Sequence, residues 1–80
     1  TRMSKIEDHQ IIMLVSKNLK ISKGEISLES KQEDHPEWDS LANLRIYLEL
    51  SKLLKKELPN EIIFQLDSIK SIIKISKDFS

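Results

Sequence analysis

The run from Ser40 to about Leu58 constrains the chain more than any other stretch. Its apolar residues recur at helical spacing throughout. Leu41, Leu44, Leu48 and then Ser51 or Leu54 follow one face, while Ile46, Leu50, Leu53 and Leu58 extend the apolar surface. Glu49, Ser51 and Lys55 mark the outward side. No Gly or Pro interrupts the pattern until Pro59, where the missing N–H and fixed ring stop a helix. A helix this apolar must bury a face. Its partners have to be other helices, because no stretch sustains the two-residue alternation of a strand.

Two further helices satisfy that requirement. From Ser4 to about Lys20, Ile11, Leu14, Val15 and Leu19 form a stripe that Ile12 and Met13 broaden, with Ile6 preceding it. Ser4 with Glu7 three residues later fits a capping box, and Lys17 and Lys20 suit the negative end of the helix dipole. Near the C-terminus, Asp67-Ser68 reads as a cap before Ile69, Ile72, Ile73 and Ile75. Lys74 and Lys77 lie toward the end of that helix, and the last three residues are expected to fray. The dense apolar segment Ile62, Ile63, Phe64 and Leu66 between them wants burial but is too short for a full helix. The pattern therefore predicts an all-α fold: a small bundle of three main helices plus one short one. Gly24, the only glycine, suggests a turn or a positive-φ position. From Glu25 to Asp39 there is no sustained period; Ile26 and Leu28 are the expected anchors of that loop, and Pro36 keeps His35 out of helical geometry.

Eighty residues form one small domain, read here as residues 3–80, with Thr1-Arg2 before Met3 taken as an expression remnant. Such a chain buries about 60% of its unfolded surface, so its core is thin. There is no cysteine, which excludes a disulfide framework and a thiolate metal site and suits a reducing cytoplasm. No apolar run approaches the roughly 18 residues of a membrane span, and no signal-peptide pattern is present.

The 13 basic and 13 acidic residues cancel, which argues against a generic nucleic-acid binder. Their distribution is uneven. Residues 1–24 carry a net +3, residues 25–40 a net −5 and residues 41–58 a net +2. The acidic stretch holds Glu33, Asp34, Glu37 and Asp39 but lacks the alternating oxygen ligands and central glycine of a calcium loop, so a solvated acidic loop is the reading, with no metal site. His9 on the first helix and His35 in the loop have no second ligand at metal spacing. Ser40 shows no sign of a triad. No catalytic residue is expected, and the chain does not read as an enzyme.

At the middle of the chain stands Trp38-Asp39-Ser40-Leu41, where the acidic loop becomes the long helix. A serine at that junction either caps the helix with its hydroxyl or carries a phosphate, which the unpaired amides and positive dipole end of a helix N-terminus favour. Trp38 is either a packing anchor at the loop end or a partly exposed residue that touches partner proteins.

The Asp39-Ser40-Leu41 tripeptide followed by an amphipathic helix resembles the attachment site of the acyl carrier protein family. A family-like pattern extends without gaps from about Ile11 to Ile75. It comprises a first helix, a long loop, the motif, a second helix ending in Glu57-Leu58-Pro59, a short apolar segment and a last helix opening at Asp67-Ser68-Ile69. Trp38 directly before the tripeptide is similar to a subset of stand-alone bacterial carriers. The neutral charge departs from the family, whose members are usually acidic.

The resemblance implies a carrier-type four-helix bundle with 4′-phosphopantetheine esterified to Ser40. Acyl intermediates of fatty-acid or secondary-metabolite synthesis would ride on its thiol as thioesters. Asp39 would be the acidic neighbour that the transferase needs, with Leu41 and Trp38 flanking the site. Leu44, Leu48, Ile63, Phe64 and Ile69, on inward faces by spacing, would line a core pocket able to take an acyl chain. Arg45, Glu49 and Lys52 would meet partners. Those partners are a phosphopantetheinyl transferase and acyl-activating, synthase or acyltransferase enzymes, with the carrier a cytoplasmic monomer. Because the helix after Ser40 is basic where the family's is acidic, a dedicated accessory pathway is expected. Two alternatives stay open: a small helical interaction module without a prosthetic group, and an aminoacyl or peptidyl carrier.

Overall fold

The structure, a computed structural model, describes residues 7–79. Three α-helices carry the fold: α1 (Asp8–Leu19), α2 (Ser40–Leu54) and α3 (Ile69–Asp78). Short 3₁₀ turns at Lys23–Glu25 and Gln32–Asp34 punctuate the first connection, and a longer one, Asn60–Gln65, supplies the fourth helical piece. Helix α1 packs against both α2 and α3, and the Asn60–Gln65 turn lies on α2. Among the described residues there is no strand, only a single antiparallel bridge between Lys31 and Ser68. The small helical bundle expected from periodicity is the fold.

Helix α1 begins later than its periodicity suggests. Glu7 is extended and stands outside the helix, and its amide donates to Gln10 Oε1 at 2.8 Å. The proposed Ser4 cap lies outside the described residues. Helices α1 and α2 end in the same way. Lys20 (φ 60°) and Lys55 (φ 56°) adopt the left-handed conformation, and the next amides, of Ile21 and Lys56, donate back to Ser16 O and Ser51 O, each at 3.1 Å. This closure satisfies terminal carbonyls that would otherwise lack partners. Gly24, by contrast, sits in a 3₁₀ turn without a positive φ. Helix α2 thus stops at Leu54, not at Pro59. Lys55-Lys56-Glu57 offers nothing apolar to continue the inner face, and Leu58 turns back into the core. Tyr47 fastens that turn: its hydroxyl donates to the Leu58 carbonyl and lies 3.0 Å from Asn60 Oδ1. Helix α3 opens as expected, with Ser68 Oγ accepting from Ser71 N at 3.1 Å.

The core is continuous. Ile11 and Val15 from α1, Ile46 and Leu50 from α2, Leu66, and Ile69 and Ile72 from α3 meet with almost no exposure. Ile75 joins them, Ile73 is half-buried, and Phe79 packs on the cluster from beyond α3 rather than fraying away. A radius of gyration of 11.7 Å agrees with compact packing, since a folded chain of this length should measure about 11.6 Å.

The long connection is irregular but tied down. Ile26 is buried, whereas Leu28, expected as a second anchor, is exposed. The anchoring is done by backbone: Gln32 N donates to Asp67 O at 2.8 Å and Ile69 N to Ser30 O at 3.1 Å. Buried Ser30 turns its hydroxyl to accept from Ser27 N at 2.9 Å. A loop with its polar groups satisfied against the start of α3 can hold a defined course without regular structure.

Candidate functional site

The loop enters α2 through three consecutive residues with different tasks. Trp38 is the anchor, only 2% exposed. Its indole Nε1 lies 2.7 Å from Asn43 Oδ1 and 3.1 Å from Leu66 O. A buried indole N–H needs such acceptors, and here they come from α2 and from the end of the 3₁₀ turn. Asn43 is itself buried, and its Nδ2 reaches Ile63 O at 3.4 Å. Trp38 therefore fixes the loop to two elements at once; it is not a partly exposed partner contact.

Asp39 is the helix cap. Its backbone is extended, and Oδ1 accepts from Ala42 N at 2.9 Å, while its carbonyl takes the first helical bond from Asn43 N at 3.0 Å. Ser40 is not the cap but the first residue of the helix. It is exposed, and its hydroxyl enters no hydrogen bond among the described residues. With the cap delegated to Asp39, the serine oxygen stands free at the positive end of a 15-residue helix.

Beyond Ser40 the leucines depart from the expected arrangement. Leu41, Leu44 and Leu48 are 56%, 41% and 52% exposed. Helix α2 instead buries Ala42, Asn43, Ile46, Tyr47 and Leu50. The helix carries two apolar stripes, and the second faces the core. Phe64 points outward from the 3₁₀ turn and is 84% exposed, because Ile62 and Leu66 take the inner positions of that turn. Of the five residues expected to line one pocket, only Ile69 is fully buried and Ile63 half-buried. Leu44, Leu48 and Phe64 do not close over a core cavity. A groove of about 470 Å³ runs beside Phe64 but is lined by Ile62, Gln65 and residues of α3, with nothing from α2.

Arg45 and Lys52 are exposed, as partner contacts must be. Glu49 is engaged within the bundle. Lys17 Nζ of α1 lies 2.9 Å from its Oε2, and Asn18 Nδ2 lies 3.3 Å from Oε1. The Lys17 hydrogen bond is the main cause that holds the Glu49 carboxyl below its ordinary value of 4.5; partial burial opposes it, and Asn18 and the charges of Lys17 and Lys52 support it. His9 is exposed; His35 is half-buried, with Nδ1 3.5 Å from Glu37 Oε1. Among the described residues no group of three or more His, Asp or Glu could hold a metal ion, and no helix is long and apolar enough to cross a membrane.

Asn43 and Tyr47 escaped sequence reasoning. Both are polar residues on the inner face, four apart and in register with Ile46 and Leu50. Taking the Ile46–Leu50 stripe as the inner one would have exposed them. Compared with known proteins, the chain matches no family model and no curated sequence.

Proposed function

We propose that this chain is a carrier domain whose prosthetic group, 4′-phosphopantetheine, is esterified to Ser40. The observation that supports it most directly is the division of labour at the start of α2. Asp39 does the capping, so the exposed Ser40 hydroxyl is left available for a transferase. Ser40 Oγ would hold the group as a phosphodiester. The α2 N-terminus would favour its negative charge by about 0.3–1 kcal/mol, and Trp38 keeps the junction rigid from below. When bound, the group supplies a flexible arm ending in a thiol that carries acyl cargo. The chain itself supplies attachment, orientation and delivery, not catalysis, and tethering raises the local concentration of cargo at each partner. Partners on this reading are a phosphopantetheinyl transferase and the acyl-activating, synthase or acyltransferase enzymes of a dedicated accessory pathway in the cytoplasm. An aminoacyl or peptidyl cargo would need the same site.

A second reading, a helical interaction module without a prosthetic group, draws on the exposed leucines of α2 and on Phe64. One experiment separates the two. The unmodified protein is incubated with coenzyme A, magnesium and a promiscuous phosphopantetheinyl transferase, and intact mass is measured. The carrier reading expects the mass of one phosphopantetheine on the wild type and none on Ser40→Ala. An unmodified wild type, or a modified Ser40→Ala protein, overturns it.

A further inference from the structure

We infer that Asn43 seals the bundle beneath Ser40, so that cargo on the arm stays outside the core. The cargo that suits such a carrier is a short or polar acyl group, not a long alkyl chain. The inference rests on the carrier reading of Ser40 and narrows the cargo that reading leaves open. Asn43 and Tyr47 follow Ser40 at three and seven residues, so all three lie along one side of α2. That side is exposed at Ser40 and already buried at Asn43. A chain led from the serine into the core along this side meets Asn43 first and Tyr47 next.

Both residues are committed to polar bonds there. Asn43 uses both ends of its amide: Oδ1 accepts from Trp38 Nε1 at 2.7 Å, and Nδ2 donates to Ile63 O at 3.4 Å. Tyr47 donates to Leu58 O and lies 3.0 Å from Asn60 Oδ1. Helix α2 is thus stitched to the Asn60–Gln65 turn near its start and again at Ile63, and Trp38 adds a bond to Leu66 O at 3.1 Å. An alkyl chain that parted this seam would break these bonds and offer nothing in their place. Buried polar groups left without partners are costly, and each one stranded adds to the cost. Behind the seam Ile46, Leu50, Leu66 and Ile69 show no accessible surface, so no channel or void as wide as a water molecule borders them. A long chain on the arm would therefore ride in water, where every methylene is unfavourable. A short or polar acyl group meets no such penalty.

The test needs no transferase. Ser40→Cys gives the chain its only thiol, which takes a maleimide joined to an arm of pantetheine length that ends in an acetyl or a tetradecanoyl group. Urea midpoints of the two conjugates, followed by Trp38 emission, should agree within about 0.5 M. Burial of only three methylenes should raise the tetradecanoyl midpoint by about 2 M, and a shift of that size overturns the inference. The tetradecanoyl conjugate should also bind phosphatidylcholine vesicles, with an association constant on the order of 10⁴ M⁻¹, while the acetyl conjugate should not. A tetradecanoyl conjugate that stays off the vesicles overturns the inference too. In the Ser40→Cys/Asn43→Ala background the longer conjugate should unfold at least about 1 M above the shorter one. Equal midpoints there would take the sealing role from Asn43. If circular dichroism shows that this variant does not fold, Ser40→Cys/Asn43→Ser is read in the same way, because serine lacks the amide that reaches both partners. Since the thiol is loaded chemically, these outcomes decide the seal even where enzymatic modification of Ser40 fails, and Ser40 can be modified while the seal fails.

Discussion

Replacing Asp39 and Ser40 by alanine, one at a time, separates the helix cap from the attachment point. Asp39 Oδ1 accepts from Ala42 N at 2.9 Å at an exposed helix start. Losing such a cap costs about 0.5–2 kcal/mol, typically about 1. Ser40 is helical and exposed, and its hydroxyl bonds to nothing among the described residues. Alanine has the higher helix propensity, so Ser40→Ala should be neutral or stabilising by up to about 0.5 kcal/mol. With a slope near 1 kcal/mol per molar urea for a domain this small, Asp39→Ala should lower the unfolding midpoint by about 1 M. Ser40→Ala should leave it within about 0.5 M of the wild type. Intact mass after transferase treatment should move the opposite way: lost entirely in Ser40→Ala, while Asp39→Ala keeps the acceptor oxygen and is modified more slowly. A Ser40→Ala protein destabilised by more than about 1 kcal/mol beside an unaffected Asp39→Ala would return the cap to Ser40. The free hydroxyl, and the carrier argument built on it, would then fall together.

Three further outcomes follow from the packing. Trp38→Phe removes the donor to Asn43 Oδ1 and Leu66 O inside the core, and stranded acceptors of that kind cost about 1–3 kcal/mol; an unchanged urea midpoint would mean the indole bonds are not formed in solution. Leu50→Ala, at a position with no exposure, should cost about 2–5 kcal/mol, whereas Leu44→Ala and Phe64→Ala should each cost less than about 1 kcal/mol, and a reversed order in the same melts would place the other α2 stripe in the core. Because Glu49 titrates below its ordinary 4.5 in the folded chain, its ion pair with Lys17 contributes stability that is present above that value and lost as pH falls through the lower folded one. Urea midpoints measured from pH 6 down to pH 2 should therefore drop less steeply in Glu49→Gln than in the wild type, and parallel curves would show the pair to be silent.

Much of this molecule is legible in the residues themselves. Helical spacing in three stretches, with no strand-like alternation, specifies the fold class, because a 3.6-residue apolar period can be buried only by helices packing on one another. The Ser68 cap follows from local chemistry, and the burial of Trp38 from its size. These are short-range effects that need no knowledge of the rest of the chain.

What local pattern could not decide is direction. Helix α2 is apolar on two sides, and spacing alone cannot say whether Leu41, Leu44 and Leu48 or Ile46 and Leu50 look inward. That choice is made by what stands opposite. α1 and the 3₁₀ turn at Asn60–Gln65 pack on α2, while the Trp38 indole and the Ile63 carbonyl pair with Asn43, and the Leu58 carbonyl with Tyr47. Once those two residues turn inward, their helical neighbours Leu44 and Leu48 must turn outward. Tertiary hydrogen bonding therefore reversed the expected pocket and opened a surface instead. It also moved the cap from Ser40 to Asp39. The two adjacent side chains are both competent caps, and the angle at which the anchored loop enters α2 decides which one reaches Ala42.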